Sequence, residues 1–316
     1  MQINSAQKIN YSQKIIELKK QKNAVILAHY YQRPEIQDIA DFVGDSLALA
    51  KNAASTTADI IVFAGVHFMA ETAKILNPKK KVLVPDMDAG CSLADSCSAE
   101  AFKQFRQLYP NHIAVTYINC NAEVKAQSDI ICTSSNAKQI VASIDKNQPI
   151  LFSPDKNLGR YLMKETDRNM VLWNGACLVH EAFSFHKVLQ LCAKHPEAKI
   201  VAHPESDRQI IEIADFIGST SAMINFIQKS EAKSFIVGTE AGILHQLKSE
   251  AVNKEIIPMP VQDDNACACS ECGYMKVNTL EKIAACLSQE SPEIILQEDL
   301  IQRALLPLQK MMSLSN

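Results

Sequence analysis

The sequence contains no run of about 18 uninterrupted apolar residues, the length a helix needs to span a bilayer. Its opening stretch, MQINSAQKINYSQKIIELKKQ, lacks the apolar centre of a secretory signal and reads as an ordinary helix. These absences predict a soluble, cytoplasmic chain. Charge of one sign is missing too: 32 Lys+Arg against 35 Asp+Glu leaves a formal net charge of -3, with only short basic runs at Lys19–Lys22 and Lys79–Lys81. No nucleic-acid-binding element stands out, so neither nucleic acid nor a membrane is the expected partner. A small molecule is.

What is present is a chain of 316 residues, 47% hydrophobic and 21% charged, long enough for about two domains by length alone. It has ten cysteines. In a large chain without an export signal these suit a reducing compartment, as buried thiols, metal ligands or catalysts.

Apolar runs without a helical period predict strands at Ala24–Tyr31, Ala58–Gly65 and Lys81–Asp86. Helical segments intervene at Glu35–Phe42, begun by Pro34, then at Leu47–Ala54 and His67–Leu76. The order recurs from His112 to Cys177 and again from Lys199 to Pro260. Setting Leu27–Ser46 against Val201–Thr220 without gaps gives eight identities in twenty, His29/His203 and Asp41/Asp215 among them. The repeat replaces the two domains suggested by length with three αβ units of about 90 residues. The expected fold class is therefore α/β: three homologous αβα sandwich domains (1–107 with the N-terminal helix, 108–194, and 195–316 with C-terminal helices packing back). Their parallel sheets would sit in pseudo-threefold symmetry around a central active site, since ligands gather at the carboxyl ends of such strands.

The last strand of each unit runs toward cysteine: Cys91, Cys177 and one member of the cluster Cys267, Cys269 and Cys272. Cys91 and Cys177 are 86 residues apart, Cys177 and Cys272 are 95. Three thiolates are too few for a closed zinc site or a fully ligated iron-sulfur cluster, so a metal held by them keeps an open position. Spacing does not separate zinc from iron-sulfur. Cys97 is a possible alternative ligand, and a structural zinc site could combine the terminal cysteines with Cys97 or His180. A redox-sensing binding protein is a further reading, but it requires an interaction element that the sequence does not offer.

A second set of polar residues follows the strands: His29, Tyr31 and Ser46, then Tyr117, Asn119, Thr133 and Ser134, then His203, Glu205, Ser219 and Thr220. A lone histidine after a strand is usually structural, but the repeat places one at equivalent positions in two units. Hydroxyls and amides near helix starts suit carboxylate or phosphate oxygens. The inferred ligand is small and anionic.

The stretches AHYYQRPEIQDIADFVGDSL, VTYINCNAEVKAQSDIICTSSNA, WNGACLVH, AHPE, GSTS and CSECGYMKVNTL resemble, in order, the quinolinate synthase family of NAD biosynthesis. The resemblance implies a transferase that condenses iminoaspartate with dihydroxyacetone phosphate, releasing phosphate and two waters. It also implies a 4Fe-4S cluster held by Cys91, Cys177 and Cys272, its fourth iron open to substrate as a Lewis acid. Transient coupling to an L-aspartate oxidase or aspartate dehydrogenase would supply the imine. Tyr31, His203, Glu205 and Tyr117 are the candidate catalytic groups. Tyr117, Asn119, Ser134 and Thr220 resemble carboxylate-binding groups, His203 and Glu205 also meet substrate, and His29 and Ser46 look placed for phosphate. The sequence departs from the family at Gly273 and Asn174, where proline is common, and in its C-x-C-x-x-C spacing. The last departure puts an auxiliary redox role for Cys267 and Cys269 in doubt.

Overall fold

The computed structural model describes residues 10–262 and 270–315, so Cys267 and Cys269 lie outside the described residues. Among the described residues twelve strands form three separate four-stranded sheets, all of whose pairings are parallel. The first sheet holds β1 (Ala24–His29), β2 (Phe42–Gly44), β3 (Ile60–Ala64) and β4 (Lys81–Leu83). The second holds β5 (Ile113–Tyr117), β6 (Ile130–Cys132), β7 (Ile150–Ser153) and β8 (Met170–Leu172). The third holds β9 (Lys199–Ala202), β10 (Phe216–Ile217), β11 (Ser234–Gly238) and β12 (Glu255–Pro258). In every sheet the second strand of the unit lies at one edge, followed by the first, third and fourth. Helices connect the strands and flank the sheets, giving an α/β fold of three αβα sandwiches. Central strands such as β3 and β7 are buried along their whole length, as parallel strands covered on both faces must be.

The repeat extends to register. Leu27 pairs with Phe42, Val115 with Ile130 and Val201 with Phe216, the same step in each unit. An aspartate just before each second strand fixes that step. Asp41, Asp129 and Asp215 accept the backbone N–H of Ile26, Ala114 and Ile200 at 2.7, 2.7 and 2.8 Å. Each also meets a cation, Lys19, Arg106 or Lys199. These carboxylates are satisfied inside the fold, which explains their place in the repeat.

The structure differs from the sequence expectation at β2 and β10. The segment through Phe42 was expected to be helical; instead the helix Pro34–Ile39 ends at Ala40, in extended conformation, and Phe42 begins a strand. Strands of three and two residues are too short to display a period. The predicted strands are also shorter than expected, and residues 30–31, 118–119 and 203–206 form loops beyond them. Their polar side chains are thereby set at the sheets' carboxyl ends.

The C-terminal helices leave the third sheet. The helix Leu280–Gln289 puts Ile283, Ala284 and Leu287 against Ile15 of the helix Tyr11–Gln21 and against Ile26, Ile60 and Val62 of the first sheet. The helix Glu298–Ser313 contributes Leu300, Ala304, Leu308 and Met311 to the core shared by the first and second units, touching β6 and the helices His67–Leu76 and Ala122–Lys125. Among the described residues no helix is long and apolar enough to cross a membrane.

Candidate active site

The carboxyl ends of the three sheets converge on one cavity of about 400 Å³. Twelve of the candidate residues line it: His29, Tyr31, Ser46 and Cys91 from the first unit, Tyr117, Asn119, Ser134 and Cys177 from the second, and His203, Glu205, Thr220 and Cys272 from the third. The constant register makes many of these equivalent. His29, Tyr117 and His203 end or follow the first strand of each unit, Tyr31, Asn119 and Glu205 stand two residues later, and Ser46, Ser134 and Thr220 follow the second strand. Ser46 and Thr220 are the first residues of helices, behind the side-chain caps Asp45 and Ser219, so backbone N–H groups face the same space. Thr133 and Ser219 serve local hydrogen bonds instead: Thr133 bonds Asn136, and Ser219 caps its helix.

Each cysteine stands immediately before a four-residue helix: Cys91 before Ser92–Asp95, Cys177 before Leu178–Glu181 and Cys272 before Gly273–Lys276. Burial pushes the Cys91 thiol up to about 12 and that of Cys272 up to about 11, and Cys177 also rises. Backbone N–H groups of those helices pull the other way, from Ala94 and Leu93, from His180, and from Met275 and Tyr274. The site therefore offers three soft donors that stay protonated until a cation supplies the opposite charge, with amides already placed to stabilise the thiolates. Cys97 is not one of them. It is fully buried in a different cluster with Phe102 and Cys120.

Glu205 is the centre of the polar wall. Its carboxylate accepts a short hydrogen bond from the Tyr117 hydroxyl, lies 2.9 Å from His180 Nδ1, and is 3.9 Å from His203 Nδ1. Burial alone would raise its pKa, but the nearby His203 and His180, with the Tyr117 hydrogen bond, outweigh it and bring Glu205 down to about 2. His29 and His203 use Nδ1 to accept the N–H of Tyr31 and Glu205, at 3.2 and 3.4 Å, which leaves their proton on Nε2. Burial lowers them to about 4 and about 3, so both are neutral imidazoles at neutral pH. The Tyr31 hydroxyl and His180 Nε2 share Thr239 Oγ1 at 2.6 and 3.0 Å. Burial holds the Tyr31 and Tyr117 phenols protonated. The buried Asn119 Oδ1 has no partner within the described residues, an acceptor aligned with a ligand-facing role.

A family model described as "Quinolinate synthetase A protein" matches residues 13–313. The chain belongs to the quinolinate synthase family. It is 59% identical over 301 residues to a protein of Microcystis aeruginosa named quinolinate synthase, covering 95% of this chain and 94% of the relative. Proteins of that name from Nostoc sp. and Synechocystis sp. are 58% and 57% identical, covering 96% and 95% of this chain and 93% and 94% of theirs.

For a chain of the quinolinate synthase family, the sequence reading passed over three cavity groups or their supports. Glu240 follows β11 as Glu205 follows β9, and the strand-end rule would have found it. It is fully buried, accepts the N–H of Cys272 at 2.9 Å and of Gly242 at 2.7 Å, and pairs with Lys276 at 3.0 Å. Lys276 in turn donates to the Tyr31 carbonyl at 2.6 Å. This pair ties the Cys272 segment to the first unit. Thr239 joins Tyr31 to His180, and His180, named in the sequence only as a zinc ligand, stacks on His203 with ring centroids 4.8 Å apart. Donor atoms of Cys177, His180 and Glu205 lie within 4.8 Å of one another, so the imidazole and the carboxylate stand beside the Cys177 thiol.

Proposed function

We propose that the chain is a quinolinate synthase that condenses iminoaspartate with dihydroxyacetone phosphate, releasing phosphate and two waters. The observation that carries this reading is the delivery of one cysteine by each of three units to a cavity whose remaining wall is hydroxyls, imidazoles and a carboxylate. Cys91, Cys177 and Cys272 would hold a 4Fe-4S cluster, and the units 1–107, 108–194 and 195–316 would act as domains closing on it. When bound, the cluster supplies a Lewis-acidic iron with a free position for a substrate oxygen or nitrogen.

The protein's own groups bind, orient and move protons. Ser134, Thr220, the Asn119 amide N–H2 and the Tyr117 hydroxyl donate to substrate carboxylates, while Ser46, its helix N–H groups and His29 Nε2–H take the phosphate. Glu205 removes protons from carbon. A carboxylate held at about 2 is a weak base, and it strengthens when a substrate carboxylate draws the Tyr117 hydroxyl away from it. Neutral His203 donates from Nε2 to developing negative charge, and Tyr31 does so from its hydroxyl. An L-aspartate oxidase or aspartate dehydrogenase would supply the imine in the cytoplasm.

The test is anaerobic purification with iron and sulfide counting of the wild type and of Cys91→Ala, Cys177→Ala and Cys272→Ala, with a quinolinate assay from aspartate, an aspartate-oxidising enzyme and dihydroxyacetone phosphate. A brown wild-type protein that makes quinolinate, and variants depleted of cluster, are the expected outcome. A full cluster in all three variants would remove the ligand scheme. A colourless zinc protein would favour the structural-zinc alternative.

A further inference from the structure

A second cleft, of about 410 Å³, lies between the second and third units and shares no lining residue with the cavity above. One wall is the helix Lys156–Thr166, which presents Asn157, Arg160, Tyr161 and Lys164 to it. These positions follow the i, i+3, i+4, i+7 spacing of a single helix face. The opposite wall is Arg208 and Glu212 of the helix Arg208–Ile213, with Ser206 in the turn before it.

A helix face turned toward another unit is ordinarily its apolar one. Here it is polar and carries two cations. Arg208 is paired with Glu212 at 2.6 Å, whereas among the described residues neither Arg160 nor Lys164 has an ion-pair partner. The second observation concerns Ser206: it lines the cleft, is 1% exposed, and its hydroxyl has no hydrogen-bonding partner. A buried, unpaired hydroxyl is costly, and an oxygen-rich ligand would satisfy it.

We propose that this cleft is a binding site for a small organic phosphomonoester. The unpaired Arg160 guanidinium and Lys164 ammonium suit a phosphate dianion, which would also draw Arg208 from its pairing with the cleft's Glu212; the Ser206 hydroxyl has a proton to donate to it, and Tyr161 offers a ring to the organic portion, for which the volume leaves room. The site also touches the active site's frame. Asn157 donates to the Glu205 carbonyl at 3.1 Å, and Ser206 follows Glu205 in the chain, so an occupant rests against the backbone that positions that carboxylate.

Calorimetric titration at constant ionic strength tests this with adenosine monophosphate as the phosphomonoester and adenosine as its uncharged counterpart. The full chain would be compared with an Arg160→Gln/Lys164→Gln double variant, with Arg208→Gln, and with Lys229→Gln as a control on the distant helix Thr220–Lys229. Loss of charge-assisted contacts should weaken adenosine monophosphate by about tenfold or more in both cleft variants. The control should bind as the wild type does, and adenosine should not bind. Undiminished binding in either cleft variant, which would place the ligand in the larger cavity, overturns the proposal. So does an equal loss in Lys229→Gln, or absence of binding to the wild type at millimolar ligand. Because the cleft variants alter exposed side chains on two different helices, a folding defect in one leaves the other to decide.

Discussion

At the scale of the residue, the cavity works by burying polar groups that hold one another in defined protonation states. Glu205, His203 and His29 are 3%, 3% and 5% exposed, so their hydrogen bonds rather than water set which atom carries a proton. Glu205→Gln keeps the shape and removes the base. Its expected effect is a fall in kcat of about 10²–10⁴-fold with KM for dihydroxyacetone phosphate changed only a few-fold, measured by quinolinate formation. Normal turnover in a variant that binds substrate would exclude Glu205 as the base. The buried imidazoles also predict a pH effect on stability. Their folded pKa values, about 4 and about 3, lie below the unfolded 6.5, so in that window the unfolded chain binds more protons. Stability is complete above pH 6.5 and falls as the pH drops toward 4 and then 3. Depressions of this size correspond to at most about 3 kcal/mol for His29 and about 5 kcal/mol for His203. Urea unfolding at several pH values between neutrality and pH 5 should show the decline, with a shallower slope in His203→Gln. A flat wild-type profile would contradict it.

At the scale of the element, the repeat was legible where it was written in identities and hidden where it was written in geometry. The first and third units share His, Asp and Gly at matching positions. The second substitutes Tyr117 for histidine and Ile130 for phenylalanine, and its equivalence emerges only from the pairing of Val115 with Ile130. The same geometry accounts for the two missed strands, whose edge position depends on an aspartate reaching a neighbouring strand rather than on any apolar period. Glu240 closes the apolar run Ser234–Glu240 and so reads as part of that strand, whereas the structure ends the strand at Gly238 and leaves Glu240 beyond it. The aspartates can be tested directly. Asp129→Ala strands the N–H of the fully buried Ala114 and leaves Arg106 without its carboxylate. The expected loss is about 1–3 kcal/mol by chemical denaturation. Asp215→Ala should cost a similar amount through Ile200, while a change below a few tenths of a kcal/mol in both would leave the register to the sheets alone.

At the scale of the whole molecule, a site assembled from three units requires something to hold the units in place, and the C-terminal helices do part of this. The amphipathic pattern of Glu298–Ser313 announces an apolar face, but a pattern names no partner, and that its partners would be the first and second units could not be read from sequence. Leu308 is fully buried in their shared core, where the helix lies against β6 and the helix His67–Leu76. Leu308→Ala should destabilise the protein by about 2–5 kcal/mol, the range for removing a buried leucine side chain without full collapse of the space. Its position adds a second expectation. The core it fills joins the units that carry Cys91 and Cys177, so loosening it should increase the rate at which a chelator removes iron from the loaded protein. Leu247 is equally buried, in a core whose buried members all come from the third unit, and Leu247→Ala therefore supplies the comparison at matched loss of stability. Faster iron loss in Leu308→Ala than in Leu247→Ala would identify the C-terminal helix as the brace between the two thiol-bearing units. Equal rates would mean that general destabilisation alone governs release.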